Sequence, residues 1–152
     1  MNQNYVIENA STEDIPPLIA LLGILFGIEA DFQSDLAKQT NGLSLLINHP
    51  ENGVIKVAKN QEGQVIGMVS AQLVISTAQG SPSAWVEDMV VEEAYRGSGV
   101  GKALLDEALL WAKANGATRA QLLVDTENKP ALGYYAHLGW ESTQLQARKI
   151  FI

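Results

Sequence analysis

The stretch "EDMVVEEAYRGSGVGKALLDEALLWA", Glu87 to Ala112, decides how this chain folds. It runs from an apolar, strand-like segment through a glycine-rich loop into an amphipathic helix. Val100, Ala103, Leu104, Ala108, Trp111 and Ala112 recur at helical spacing, which predicts a helix over 99–115, and Gly116 is placed to cap it. Gly97, Gly99 and Gly101 lack β-carbons, so the backbone between them can curl and turn successive N–H groups inward. The helix N-terminus adds unpaired donors and the positive end of its dipole. The loop therefore reads as a phosphate cradle, Gly97-Ser98-Gly99-Val100-Gly101, with Arg96 and Lys102 supplying positive charge. The competing reading is a tight strand-to-helix turn.

Three phosphate-binding patterns can be tested against this loop. The P-loop pattern G-x-x-x-x-G-K-[ST] finds Gly101-Lys102, but its first glycine falls on Arg96 and its hydroxyl position on Ala103. The dinucleotide pattern G-x-G-x-x-G finds Gly97 and Gly99, but its third glycine falls on Lys102. It should also follow the first strand of a parallel unit, whereas this loop follows what reads as an antiparallel meander. The pattern R-x-x-G-x-G is met without a gap by Arg96, Gly99 and Gly101.

Outward from the loop, the chain alternates strands and helices. Tyr5 to Glu8 reads as a strand. Asp14 reads as the N-cap of a helix over 15–26, because Pro16 and Pro17 are tolerable only in a first turn. A second helix is predicted over 34–48 and ended by His49-Pro50. Strands over 53–59 and 64–77 flank the hairpin turn Asn60-Gln61-Glu62-Gly63, residues 78–83 read as a loop, and 84–91 as a third strand of the meander. Beyond the central helix come a strand over 119–124, a helix over 129–138 and a last strand over 145–152. The order β-α-α-β-β-β-α-β-α-β describes one mixed α/β domain spanning 1–152.

Composition narrows the function further. The chain has 152 residues and a net charge of −7, which argues against nucleic acid and anionic membrane surfaces as partners. It has no cysteine, which excludes disulfides, thiolate metal sites and cysteine nucleophiles. His49 and His137 lack partners at ligand spacing, which argues against a histidine metal site. No basic region followed by an apolar stretch opens the chain, and no apolar run reaches the ~20 residues of a membrane span, so a cytoplasmic location is expected.

A second motif follows the glycine loop. Asn128, Ala131, Tyr135, Gly139 and Trp140 fit N-x-x-A-x-x-x-Y-x-x-x-G-[FW]. Together with Arg96, Gly99 and Gly101, this resembles the coenzyme A signature of the GNAT superfamily of N-acetyltransferases, and the element order agrees over nearly the whole chain. The resemblance implies a GNAT-like fold, a central and mostly antiparallel mixed sheet flanked by helices. It also implies transfer of the acetyl group of acetyl-CoA to a primary amine, that of a small molecule or of a protein or peptide.

The same resemblance assigns roles. Met89, Val90 and Val91 would line the pantetheine arm through backbone groups, residues 96–102 would hold the pyrophosphate, and Asn128 and Tyr135 would complete the cofactor site. Tyr135 matches the family's general acid for the leaving thiolate; its ordinary reading is a packed helical aromatic. An aliphatic ammonium, with a pKa near ~10, must lose a proton before it attacks. Glu87 resembles the strand glutamate that acts as base, through water, in small-amine members; its ordinary reading is a solvated carboxylate. Strict alternation puts Glu87 and Met89 on one sheet face and Asp88 on the other. The connection between the first two helices should cover the acceptor, which makes Glu29, Asp31 and Asp35 candidates for holding a cationic amine and Phe32 an apolar wall; a polar solvent loop is the competing reading. The same fold without turnover, as an acyl-CoA-binding sensor, is the alternative function. The C-terminal "LQARKIFI" is a candidate for pairing across a homodimer interface.

Overall fold

The computed structural model describes residues 4–28 and 34–152. They form β1 (Tyr5–Asn9), α1 (Ile15–Ile28), α2 (Leu36–Ile47), β2 (Gly53–Asn60), β3 (Val65–Ser76), β4 (Ser81–Val91), α3 (Val100–Ala114), β5 (Arg119–Leu122) and α4 (Lys129–His137). The strands make a five-stranded sheet in the order β1-β2-β3-β4-β5, and β1 to β4 are antiparallel neighbours. This is the mixed α/β class expected from the sequence. Two compact units divide the chain, Met1–Gln121 and Leu122–Ile152. Among the described residues no helix is long and apolar enough to cross a membrane.

In the first unit the sheet is buried on both faces. Leu18, Leu21 and Leu22 of α1 and Leu43 of α2 cluster with Ile55, Val57, Val65, Met68 and Val90. On the opposite face α3 buries Val100, Leu104, Leu105, Ala108 and Ala112. Gly67 lets α3 approach the sheet: a β-carbon there would lie 3.0 Å from Leu104 Cδ1 and 3.3 Å from the Val90 carbonyl oxygen. At the start of α1, Asp14 is not the helix N-cap. It closes a short 3-10 turn by accepting the Ser11 N–H at 2.9 Å, and its buried carboxylate meets Lys59 Nζ at 3.1 Å. Lys59 also pairs with Glu8 at 2.7 Å; Glu8 first, then Asp14, raises its pKa above the ordinary 10.5.

Two segments differ from expectation. β4 begins at Ser81 rather than Ala84, because Ser81, Pro82 and Ser83 pair with Ser76, Ile75 and Val74 of β3. Small residues and a proline carry little strand propensity, and the ladder overrides it. The closing strand expected over 145–152 is not formed: Leu145, Ile150, Phe151 and Ile152 are exposed and in no ladder. Strand-forming side chains yield a strand only against an edge that accepts them.

Candidate active site

The glycine loop is bent as its sequence requires. Gly97 and Gly99 take left-handed φ angles of 79° and 87°, and Gly99 is the N-cap residue of α3. A β-carbon at either would meet nothing within 4 Å, so their conformation rather than crowding calls for glycine. The first intrahelical bond runs from Ala103 N to Gly99 O at 3.0 Å, which leaves the earlier N–H groups of α3 without helical acceptors. An anionic diphosphate fits such a cradle by charge.

The loop is braced from below. Arg96 Nε donates to the Val91 carbonyl at 2.9 Å, and Tyr95 Oη accepts from Asn60 Nδ2 at 3.1 Å. Asn60 in turn organises the β2–β3 turn, its Oδ1 accepting the N–H groups of Glu62 and Gln64. Arg96 therefore fixes the base of the cradle as well as bringing charge to it. Lys102, the other cation of the loop, pairs with Asp106 at 2.7 Å on the exposed surface of α3.

β4 is irregular where it matters. Glu87 pairs with Ser70 and Val90 with Met68, so Asp88 and Met89 together stand opposite Val69, a β-bulge. Asp88 has a left-handed φ of 55°, a conformation that aspartate tolerates better than most residues. The buried Ser70 hydroxyl donates to the Glu87 carbonyl at 3.1 Å and pins the irregularity. The bulge corrects the alternation argument: Glu87 and Asp88 line the same groove. Val90 and Val91, just past it, are buried in the sheet, so their side chains are core. Glu87 Oε1 accepts the Trp85 indole N–H at 2.6 Å.

That groove has a volume of about 470 Å³ and lies between α1, α2 and the sheet. Leu22, Phe26, Leu43 and Leu46 give it an apolar wall, and Lys38, Gly42 and His49 of the α2 segment line it too. Sequence reading missed this α2 face, whose only sequence signal is the spacing of Lys38, Gly42, Leu45 and His49 on one side of a helix. Glu29, Asp31 and Phe32 lie outside the described residues. Asp35 is the N-cap of α2, accepting the Lys38 N–H at 3.1 Å, so its carboxylate serves the helix.

The second unit gives its motif a physical reading. Asn128 caps α4 by accepting the Ala131 N–H at 3.2 Å, and Gly139 ends the helix with a φ of 94°. Half-buried Tyr135 sits edge-on to Tyr134 and Trp140, with ring centroids 5.4 and 6.0 Å away.

A glycine cradle at the start of α3, a bulged strand before it and a carboxylate-lined groove beside that strand make up the candidate site. Residues 25–140 match the acetyltransferase (GNAT) family, and the chain belongs to that family. It is 26% identical over 145 residues to an uncharacterised N-acetyltransferase of Methanocaldococcus jannaschii, covering 94% of this chain and 63% of the relative. Over 89 residues it is 33% identical to a glucosamine 6-phosphate N-acetyltransferase of Trypanosoma brucei brucei, covering 57% of each. The chain thus spans about three fifths of the length of these curated relatives. Among solved structures, glucosamine-6-phosphate N-acetyltransferase from Arabidopsis thaliana superposes with a TM-score of 0.77 at 20% identity, covering 99% of this chain and 100% of that one. A possible acetyltransferase from Clostridium difficile reaches 0.84 at 16% identity, covering 99% of both chains.

Proposed function

We propose that the protein transfers the acetyl group of acetyl-CoA to the primary amine of a small molecule, in the cytoplasm, by direct attack while both are bound. The observation that carries this reading is the juxtaposition along one strand: a bulge with two carboxylates at a groove, followed directly by a glycine cradle. Relatives named for glucosamine 6-phosphate support a small-molecule acceptor. The family match runs through both units, which supports treating 1–152 as one acetyltransferase domain.

Acetyl-CoA supplies an activated acyl group when bound. The backbone N–H groups of residues 97–101 and the start of α3 would hold its diphosphate, and the resemblance assigns Asn128 to the cofactor as well. Met89 has no Cα partner on β3, so the bulge supports a role for its backbone N–H in stabilising charge on the acetyl oxygen. Trp85 holds Oε1 of Glu87, which leaves Oε2 as the atom that takes the amine proton, directly or through water. Asp88, on the same groove, is the second candidate base. The general acid that would protonate the leaving sulfur is Tyr135, the role the resemblance assigns to its hydroxyl.

Coenzyme A should raise the melting temperature, while NAD and ATP should not. Thiol release from acetyl-CoA over a panel of amino sugars, diamines, aminoglycosides and peptides then identifies turnover. Tyr135→Phe should lower kcat by about 10²-fold or more, the scale of a lost general acid. Stabilisation by NAD alone would overturn the assignment. Binding of coenzyme A with no thiol release from any amine would make the protein an acyl-CoA sensor instead.

A further inference from the structure

We propose that the α2 wall of the groove is an anion subsite built on Lys38, so that the acceptor is an amine that also carries a phosphate or carboxylate group; this rests on the acetyl-transfer reading above. Three observations converge on it. Lys38 lines the same groove as Glu87 and Asp88, so one cavity presents both signs of charge. Among the described residues the lysines held by carboxylates are Lys59 and Lys102, and Lys38 is not one of them. Beside it, Gln39 Oε1 accepts the Asp35 N–H, which turns the amide NH2 into the end left to donate.

Gly42 adds a further observation. A glycine inside a helix costs about 0.5–1 kcal/mol relative to alanine. Neither crowding nor backbone conformation requires it: a β-carbon would meet nothing within 4 Å, and its φ is not left-handed. The space above it belongs to the groove. Lys38 and Gly42 are one helical turn apart, about 6 Å by helical rise. A ligand body crossing Gly42 therefore brings its anion to Lys38 while its amine meets the β4 carboxylates. His49 lies beyond the end of α2 at Ile47, which by the same rise already stands about 13 Å from Lys38. Its Nδ1 is taken up by the Leu45 carbonyl at 2.7 Å. The chain's net charge of −7 repels anions in general, so an anion preference would report this local site.

Matched acceptors test the inference: glucosamine 6-phosphate against glucosamine for phosphate, and 5-aminopentanoate against pentylamine for carboxylate. At least one anionic member should have a kcat/KM about tenfold or more above its neutral counterpart, and the pair that shows it identifies the anion. Lys38→Ala and Lys38→Glu should abolish that preference by raising the KM of the anionic acceptor, with the KM of acetyl-CoA unchanged; Lys38→Arg should keep it. Equal use of neutral and anionic partners by the wild type overturns the subsite, as does a preference that survives Lys38→Glu or is lost only in His49→Gln. If no amine is acetylated, the transfer reading fails, and calorimetry with glucose 6-phosphate and pentanoate against glucose and pentanol still decides the subsite. Anion binding lost in Lys38→Glu would support it, and no binding would overturn it.

Discussion

Gly99→Ala separates the conformation of the cradle from its use. Gly99 sits at a φ of 87° and its β-carbon would point into open space, so the variant meets no clash and keeps its core. The left-handed conformation costs an alanine roughly 1–2 kcal/mol, which for a chain of this size is a loss of roughly 2–8 °C in Tm. Gly116 provides the control. It has nearly the same angle, 90°, at the other end of α3, and its β-carbon would touch only Pro82 at 3.9 Å. Gly116→Ala should therefore lose a similar amount of stability. Only Gly99→Ala alters the loop whose N–H groups are proposed to hold the diphosphate. Hydrogen bonds to a charged group contribute about 1.5–3 kcal/mol each, so losing one should weaken coenzyme A binding by about 10- to 150-fold. Thermal melts give the first quantity and titration calorimetry with coenzyme A the second. Equal affinities in the two variants would show that the loop is only a turn.

Other expectations follow from the same geometry. Ser70→Ala removes the hydroxyl that pins the bulge; it should cost about 1 kcal/mol of stability and lower kcat more than it raises the KM of acetyl-CoA, measured by denaturation and steady-state kinetics. Because its carboxylate partners raise the pKa of Lys59, their stabilisation is fully present below pH 10.5 and is lost as pH rises through the raised value. Melts from pH 8 to 12 should thus fall more steeply for the wild type than for Lys59→Met. Gly67→Val should destabilise by about 1–3 kcal/mol, because the added atoms meet Leu104 and the Val90 carbonyl, read by urea unfolding. Gly42→Ala should stabilise by about 0.5–1 kcal/mol in the same assay and raise the KM of the acceptor, whereas a purely structural Gly42 would change stability alone.

Much of this architecture was legible in the sequence, and the rest was not for physical reasons. The amphipathic pattern of Val100, Leu104, Ala108 and Ala112 is local, so α3 and its cradle could be read directly. The hairpin at Asn60–Gly63 is local too. The β4 bulge is not, because it depends on how Ser70 and Met68 of another strand meet Glu87 and Val90. Only the type of residue at 88 hinted at it. Strand propensity at Ile150 and Phe151 suggested pairing that their surroundings do not provide, while Ser81–Ser83 paired without propensity because β3 offered an edge. The α2 wall of the groove stayed invisible, since its partners Glu87 and Gln72 come from distant strands.

The left-handed backbone at Asp88 has a practical reach beyond this fold. At most positions a substitution alters chain shape and side-chain chemistry together, and an assay cannot tell which mattered. Position 88 lets an experimenter change them one at a time. Asparagine keeps the turn and drops the charge, glycine keeps the turn and drops the side chain, and alanine drops the charge and burdens the turn. Three variants at one site thus form a small experimental basis set, and any further alteration of this strand can be judged against it.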